Sequence, residues 1–194
     1  MSETDILIVG AGPAGTYLAE KLSLKGIDVT VIEKKRVIGK HACSGLVSTR
    51  LDRFVKPKEC YIENRIYGST FHSKDSQFTV RKGDMQAYVL NRPVFDRCMA
   101  DKATTAGAKI KTETIFEAYS VRNHYAYAET DKGVIRSKII IGCDGAGSTV
   151  RRAAGLDKKK HCVNGIIGYS DEKDYSNRVE LFYGKDIAPG FFAW

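Results

Sequence analysis

The run Asp5-Ile6-Leu7-Ile8-Val9 passes without a break into Gly10-Ala11-Gly12-Pro13-Ala14-Gly15, and no other feature constrains the fold as tightly. A short β-branched and aliphatic run ending in glycine is the pattern of a parallel strand buried on both faces. From Pro13 onward, apolar residues fall at Ala14, Tyr17, Leu18, Leu22 and Leu24, near the helical period, and Gly26 supplies a stop. A second run, Asp28-Val29-Thr30-Val31-Ile32, is closed by Glu33. Strand, helix and strand in so short a span make a βαβ unit, parallel and right-handed by default.

The six residues from Gly10 to Gly15 fit G-x-G-x-x-G, the dinucleotide-binding fingerprint. Gly10 permits the tight turn, Gly12 leaves room for a pyrophosphate against the backbone, and Gly15 lets helix and strand pack closely. The helix start then offers free N–H groups and a positive dipole end to the phosphates. Glu33, ending the second strand, is placed to accept both ribose hydroxyls, which favours adenosine without a 2′-phosphate.

The rest of the chain reads as insertions followed by a return to the sheet. Residues 34–57 are basic and irregular, with a short helix after Ser44. Alternation rich in Tyr, Thr, Phe and Val predicts antiparallel strands at 66–71, 77–80 and 87–90. Pro93 opens a helix running to 106. Strands are expected at 109–112, 115–121 and 125–130, and 135–142 ends in Ile139-Ile140-Ile141, a third buried run. Residues 163–170 and 179–183 are expected to be strands of a second layer. The first and last parts fit a doubly wound α/β sheet.

Composition narrows the class. The 194 residues are 43% hydrophobic and 28% charged, the balance of a soluble globular chain and not of a disordered or fibrous one. No apolar run approaches the roughly 20 residues that span a bilayer. The opening Met1-Ser2-Glu3-Thr4-Asp5 is acidic, unlike a secretory signal, so a cytoplasmic location is expected. The five cysteines are scattered without a C-x-x-C pair, and the four histidines do not cluster with them, so free thiols and no metal site are expected. The formal charge is +8, densest at Lys158-Lys159-Lys160. It reads either as a solvated basic surface or as attraction to anionic phosphates or a lipid surface. No motif supports nucleic-acid binding, and no obligate protein partner is evident.

Downstream stands Gly142-Cys143-Asp144-Gly145-Ala146-Gly147-Ser148, followed by Thr149-Val150-Arg151-Arg152. Taken alone, Asp-Gly after a strand is an ordinary turn. Paired with the first glycine motif, it resembles the FAD-binding fold shared by aromatic hydroxylases and geranylgeranyl reductases, and reads as a second phosphate or ribityl contact. Three further stretches resemble the archaeal geranylgeranyl reductase branch, typified by digeranylgeranylglycerophospholipid reductases. They are the C-x-G loop within Ile38-Gly39-Lys40-His41-Ala42-Cys43-Ser44-Gly45-Leu46, the arginine-plus-FD segment Tyr88-Val89-Leu90-Asn91-Arg92-Pro93-Val94-Phe95-Asp96, and Ala188-Pro189-Gly190-Phe191-Phe192-Ala193-Trp194. The last is similar to the start of an aromatic Y-x-W-x-F-P motif, with Phe192 where the family has tyrosine.

The resemblance implies a Rossmann-like FAD/NAD(P)-binding fold of the p-hydroxybenzoate hydroxylase type, with an inserted antiparallel β-sheet forming part of a substrate domain. The expected division is 1–60 with 86–157 for FAD binding, and 61–85 with 158–194 for the partial substrate domain. FAD contacts are expected from Gly10, Gly12, Pro13, Ala14, Gly15, Glu33, Lys34, Ala42, Cys43, Arg92, Asp144 and Gly145, with Cys43 the catalytic candidate. Cys43 alone reads equally as a small apolar filler. Phe192 and Trp194 would line a lipid tunnel. The implied reaction is FAD-dependent reduction of C=C bonds in geranylgeranyl chains of a prenyl lipid, with peripheral contact at the membrane. The electron donor, NAD(P)H or ferredoxin, stays open. The alternatives are an FAD-dependent aromatic monooxygenase and a non-catalytic fragment. Family members continue well past the aromatic motif, so this chain is expected to be C-terminally truncated, to hold FAD poorly and not to catalyse by itself.

Overall fold

The computed structural model describes residues 1–39, 43–156, 163–171 and 176–194. In chain order the elements are β1 (Ser2–Val9), α1 (Pro13–Ser23), β2 (Val29–Ile32), β3 (Leu46–Ser48), a 3-10 turn (Thr49–Arg53), a second 3-10 turn (Glu59–Tyr61), β4 (Ile62–Ile66), β5 (Gly68–His72), β6 (Gln77–Arg81) and β7 (Ala87–Leu90). There follow α2 (Arg92–Thr105), β8 (Lys109–Lys111), β9 (Phe116–Arg122), β10 (Tyr125–Thr130), β11 (Gly133–Gly142), α3 (Thr149–Ala153) and β12 (Arg178–Phe182). They gather into two compact units, Met1–His41 with Pro93–Lys160 and Ala42–Arg92 with His161–Trp194.

The first unit is built on a sheet ordered β8-β2-β1-β11-β10-β9. β8, β2, β1 and β11 run parallel, and β11, β10 and β9 form an antiparallel meander. Side chains of β1 alternate between two cores. Ile6 and Ile8 join Val29, Val31, Ala19 and Ala103, while Leu7 and Val9 join Ile32, Phe116 and Ala128. Burial on both faces is why the run reads as unbroken apolar sequence. The residues that α1 buries are small, Gly15, Thr16 and Ala19, which brings its axis close to the sheet. Leu18 and Leu22 pack at the side of that core. Leu24 departs from the expected apolar face: it lies past the last helical turn and is 65% exposed.

The Ile139–Ile141 run is central in the sheet but not buried throughout, since Ile139 is 52% exposed. Parallel strands are covered by their crossover helices. On this side the sheet continues into β10 and β9, whose hairpin connections to β11 bring no crossover helix.

The second unit holds two three-stranded sheets, β3-β7-β4 and β12-β5-β6. The first is antiparallel throughout; in the second, β5 is antiparallel to β6 and parallel to β12. The strand expected at 66–71 is therefore two strands in two sheets, and the chain changes sheet at Tyr67. Gly68 allows the step, because a Cβ there would lie 2.4 Å from the Val80 carbonyl oxygen. Residues 163–170, expected as a strand, carry no regular structure. Residues 42–60 and 86–92 group with the second unit, not with the dinucleotide-binding unit as expected, because β7 hydrogen-bonds to both β3 and β4.

Candidate FAD site

In the first unit the strand order reverses between β1 and β11: β2 and β8 build outward on one side, β11 on the other. Ligands of doubly wound sheets bind outside the carboxyl ends of the strands at that switch point. Both glycine motifs, far apart in sequence, meet there. Gly10 follows β1 directly, Cys143 follows β11, and the Cys143 amide donates to the Val9 carbonyl at 2.7 Å. A cavity of about 440 Å³ lined by Met1, Ser120, Tyr127 and Val134 lies at the opposite, amino-terminal ends of β1 and β11. Beside the glycine motifs the space in front of Gly12, Gly145 and Gly147 is open, a Cβ on any of them meeting nothing within 4 Å.

The three fingerprint glycines differ in what holds them. Gly10 sits at φ +106, and a Cβ there would lie 2.5 Å from the Cys143 carbonyl oxygen. A Cβ on Gly15 would come within 2.0 Å of the Gly10 carbonyl oxygen. Gly12, at φ −72 and ψ 176, is conformationally ordinary, and a Cβ on it would meet nothing within 4 Å. Structure demands Gly10 and Gly15, whereas the space in front of Gly12 is left for something else. Gly12 is also the N-cap of α1 and supplies no side-chain cap, with Pro13 in the first turn. The helix thus presents its amino end unshielded, the arrangement that receives a pyrophosphate. These residues fit a dinucleotide.

Glu33 stands at the end of β2, as a ribose ligand should. Its carboxylate accepts from the Ala11 amide at 2.9 Å and the Lys35 amide at 3.0 Å. The two amides fix the carboxylate beside the glycine loop, and each oxygen keeps a lone pair for a hydroxyl donor. Lys34 is exposed next to it.

The Asp144 carboxylate is turned into its own loop. It accepts from the Ser148 hydroxyl at 2.5 Å, the Thr149 amide at 2.6 Å and the Val150 amide at 3.2 Å. Burial alone would raise its pKa, but the Ser148 hydroxyl and the backbone amides outweigh it and hold the carboxyl below the usual range. Burial, aided by the Asp144 charge, pushes the Cys143 thiol up, consistent with a structural cysteine. Cβ atoms on Gly145 and Gly147 would meet nothing within 4 Å, so the loop's backbone is open on that side. For the phosphate or ribityl contact expected here, the loop offers its backbone, and Asp144 shapes the loop. The sequence reading missed Arg152, whose guanidinium donates to the Gly147 carbonyl at 2.7 Å and the Thr149 hydroxyl at 2.8 Å. Its signal was a basic residue one helical turn past Ser148.

The remaining expected residues lie in the second unit. Gly45, at φ +76, packs so tightly that a Cβ on it would lie 2.2 Å from the Leu90 carbonyl oxygen, and its own carbonyl accepts from the Leu90 amide at 2.9 Å. That approach brings the C-x-G loop to the end of β7, where Arg92 begins α2. An Arg92 guanidinium N–H donates to the Cys43 Sγ at 3.0 Å. Two separate motifs thus converge on one contact. Ala42 and His41 lie outside the described residues, as do Lys158 to Lys160. Phe192 stacks on Phe191 with centroids 4.3 Å apart and meets Trp194 edge-on at 5.7 Å. Ala193 bridges to Phe182 through two backbone hydrogen bonds, so this aromatic group is tied to β12. Among the described residues no group of His, Cys, Asp and Glu could hold a metal ion. None of the described helices is long and apolar enough to cross a membrane.

A parallel sheet with two glycine loops at its switch point and a carboxylate at the end of the second strand defines a dinucleotide-binding flavoprotein fold. The chain belongs to the FAD-binding domain family, whose model matches residues 3–177, and its cofactor is FAD. It is 33% identical, over its whole length, to digeranylgeranylglycerophospholipid reductase 1 of Methanosphaera stadtmanae, of which it covers 52%. It is 28% identical over 98% of its length to the digeranylgeranylglycerophospholipid reductase of Methanocaldococcus jannaschii, covering 51% of that protein. The chain spans about half the length of the curated relatives it matches. A geranylgeranyl bacteriochlorophyll reductase-like protein of Thermoplasma acidophilum shares the fold with a TM-score of 0.79 at 22% identity, covering 96% of this chain and 52% of that one. A halogenase solved with phloroglucinol and FAD gives a TM-score of 0.66 at 16% identity, covering 81% and 37%.

Proposed function

We propose that these residues are the FAD-binding portion of an oxidoreductase that reduces C=C bonds of geranylgeranyl chains on membrane-lipid precursors of the archaeal type. The observation that carries this reading is similarity along the whole of this chain to about half of the digeranylgeranylglycerophospholipid reductases, joined to the Cys43–Arg92 contact built from two stretches of branch-specific resemblance. The glycine loops hold the cofactor's pyrophosphate and Glu33 its adenosine ribose. The bound flavin supplies the hydride. Arg92 fixes the Cys43 sulfur, which makes Cys43 the candidate for proton delivery or substrate contact. Phe192 and Trp194 offer apolar surface to the prenyl chain.

The test uses this chain and a fusion carrying the carboxy-terminal half of the Methanosphaera relative. Each is loaded with FAD, reduced anaerobically with dithionite and given a geranylgeranyl glycerophospholipid. Mass gains of two hydrogens per bond in the fusion are expected. Hydroxylation of a phenol with NAD(P)H and O₂, with no change in the lipid, would make it an aromatic monooxygenase instead. A fusion that binds FAD and does neither overturns the proposal.

A further inference from the structure

Between β3 and β4 the chain forms a tightly framed loop whose outer residues are cationic and aromatic. Ser48 caps the 3-10 turn Thr49–Arg53, accepting from the Arg50 amide at 3.3 Å, and the Thr49 amide donates to Gln86. The Phe54 and Val55 amides both donate to the Leu51 carbonyl at 2.9 Å. Val55 and Tyr61 are buried, at 6% and 2% exposure, and anchor the loop from beneath. The Tyr61 hydroxyl donates to the Lys56 carbonyl at 3.4 Å.

What this frame leaves outside is specific. Phe54 is 61% exposed, and Arg50, Arg53, Lys56 and Lys58 around it are all exposed. The two nearby acids are engaged elsewhere. The Asp52 carboxylate accepts the hydroxyl of buried Tyr88 at 3.0 and 3.1 Å, and Glu59 pairs with Arg65. Among the described residues none of the four cations has an ion-pair partner. Four cations without ion-pair partners lie within nine residues against the single carboxylate of Asp52, an excess of positive charge that calls for an anionic surface. An aromatic side chain 61% exposed in their midst calls for one that also offers apolar depth. A bilayer interface supplies both. Single-stranded nucleic acid is bound by a groove with a succession of stacking aromatics, whereas this short turn offers one ring.

We propose that the 49–58 loop is a membrane-docking element that lays Phe54 into the headgroup–acyl boundary of an anionic bilayer while Arg50, Arg53, Lys56 and Lys58 contact lipid phosphates. The proposal goes beyond the lipid-reductase reading and does not depend on it, since the surface would be recognised whatever substrate is reduced.

The test is co-sedimentation of the purified chain with phosphatidylglycerol-containing vesicles and with pure phosphatidylcholine vesicles, at low and high salt. Binding only to the anionic vesicles, weakened by salt, is expected. Arg50→Glu with Arg53→Glu should lower the affinity at least about 25-fold, at about fivefold for each cation lost. Phe54→Ser should lower it about tenfold. Arg122→Glu with Lys132→Glu, an equal charge change in the other unit, should have little effect. Far-UV circular dichroism and FAD titration check that each variant is folded. Phe54→Trp in a Trp194→Phe background reads insertion directly, through quenching by brominated acyl chains. An equal loss in the Arg122/Lys132 control, unchanged binding in the loop variants, no quenching of the introduced tryptophan, or an oligonucleotide that displaces the chain from vesicles would each overturn the proposal.

Discussion

Gly10 lies so close to Cys143 that a Cβ on Gly10 would stand 2.5 Å from the Cys143 carbonyl oxygen. This contact joins the ends of β1 and β11, strands far apart in the sequence, at the point where the sheet reverses. It separates two kinds of glycine in one motif. Gly10→Ala forces a side chain onto backbone at positive φ and should cost at least about 2 kcal/mol of stability. Gly12→Ala meets nothing, so stability should hold within about 0.5 kcal/mol. FAD affinity of the Gly12 variant should still fall by about 1.4 kcal/mol, a factor of ten. Thermal unfolding and FAD titration of both variants check this; a Gly12→Ala protein that binds FAD normally would remove the pyrophosphate from the loop.

Glu33→Ala should weaken FAD binding by about 1.5–3 kcal/mol through loss of a charge-assisted hydrogen bond to the ribose. The structure adds a second consequence. The Ala11 amide loses its acceptor, so the glycine loop itself loosens, and Glu33→Gln, which keeps one carbonyl oxygen, should lie between wild type and Glu33→Ala. Equal affinity for FAD in wild type and Glu33→Ala would sink the assignment.

Much of this site was legible because its logic is local. Gly10, Gly12, Gly15 and Glu33 fall within one βαβ unit, whose periodicity marks each element. The partnership of the first loop with residues 142–148 could be read only by resemblance, since no local pattern says which strand lies beside β1. The sheet change at Tyr67 was illegible for a related reason. Ile66 and Gly68 to Phe71 suit a strand equally well, and only the competing partners, β7 on one side and β6 with β12 on the other, divide them. The direction of the Asp144 side chain was not legible: a carboxylate after a strand can face a ligand or its own helix, and the sequence Ser148-Thr149-Val150 fits both.

Cys43→Ser should leave FAD bound, because serine keeps an acceptor for Arg92 and the glycine loops are untouched. Alkene reduction by the fusion protein should fall. Arg92→Ala should affect both FAD retention and turnover if the arginine also reaches the cofactor. A Cys43→Ser enzyme reducing prenyl lipid at the wild-type rate would return Cys43 to a packing role.

Asp144→Asn should destabilise the protein by about 1–2 kcal/mol, since the carboxylate satisfies two backbone amides at the start of α3. The pH dependence follows from the lowered pKa. A carboxyl whose folded pKa lies below its unfolded value contributes stability above the unfolded pKa, and that stability is lost as pH falls through the folded one. Wild type should therefore lose its advantage over Asp144→Asn below about pH 4. Urea unfolding of both proteins across the acid range measures it; a gap that does not close on acidification would mean that the charge is not what stabilises the loop.

Trp194 gives a direct test of the proposed prenyl contact, because it is the chain's single tryptophan and is 53% exposed. It meets Phe191 and Phe192 edge-on, with centroids 6.3 and 5.7 Å away, and Phe192 in turn leans on Tyr183 at 5.5 Å. An apolar chain laid across these rings would replace water at the indole. Titration with a geranylgeranyl lipid below its aggregation threshold should therefore shift the emission to shorter wavelength and saturate. Phe192→Ala removes the ring between Tyr183 and Trp194 and should weaken binding by about 1–2 kcal/mol, through lost apolar area and ring contact. A short polar phosphoglycerol lacking the prenyl chain should leave the spectrum unchanged. If that compound shifts the emission equally, or Phe192→Ala titrates as wild type does, the aromatic group is only packing against β12 and the prenyl chain lies elsewhere.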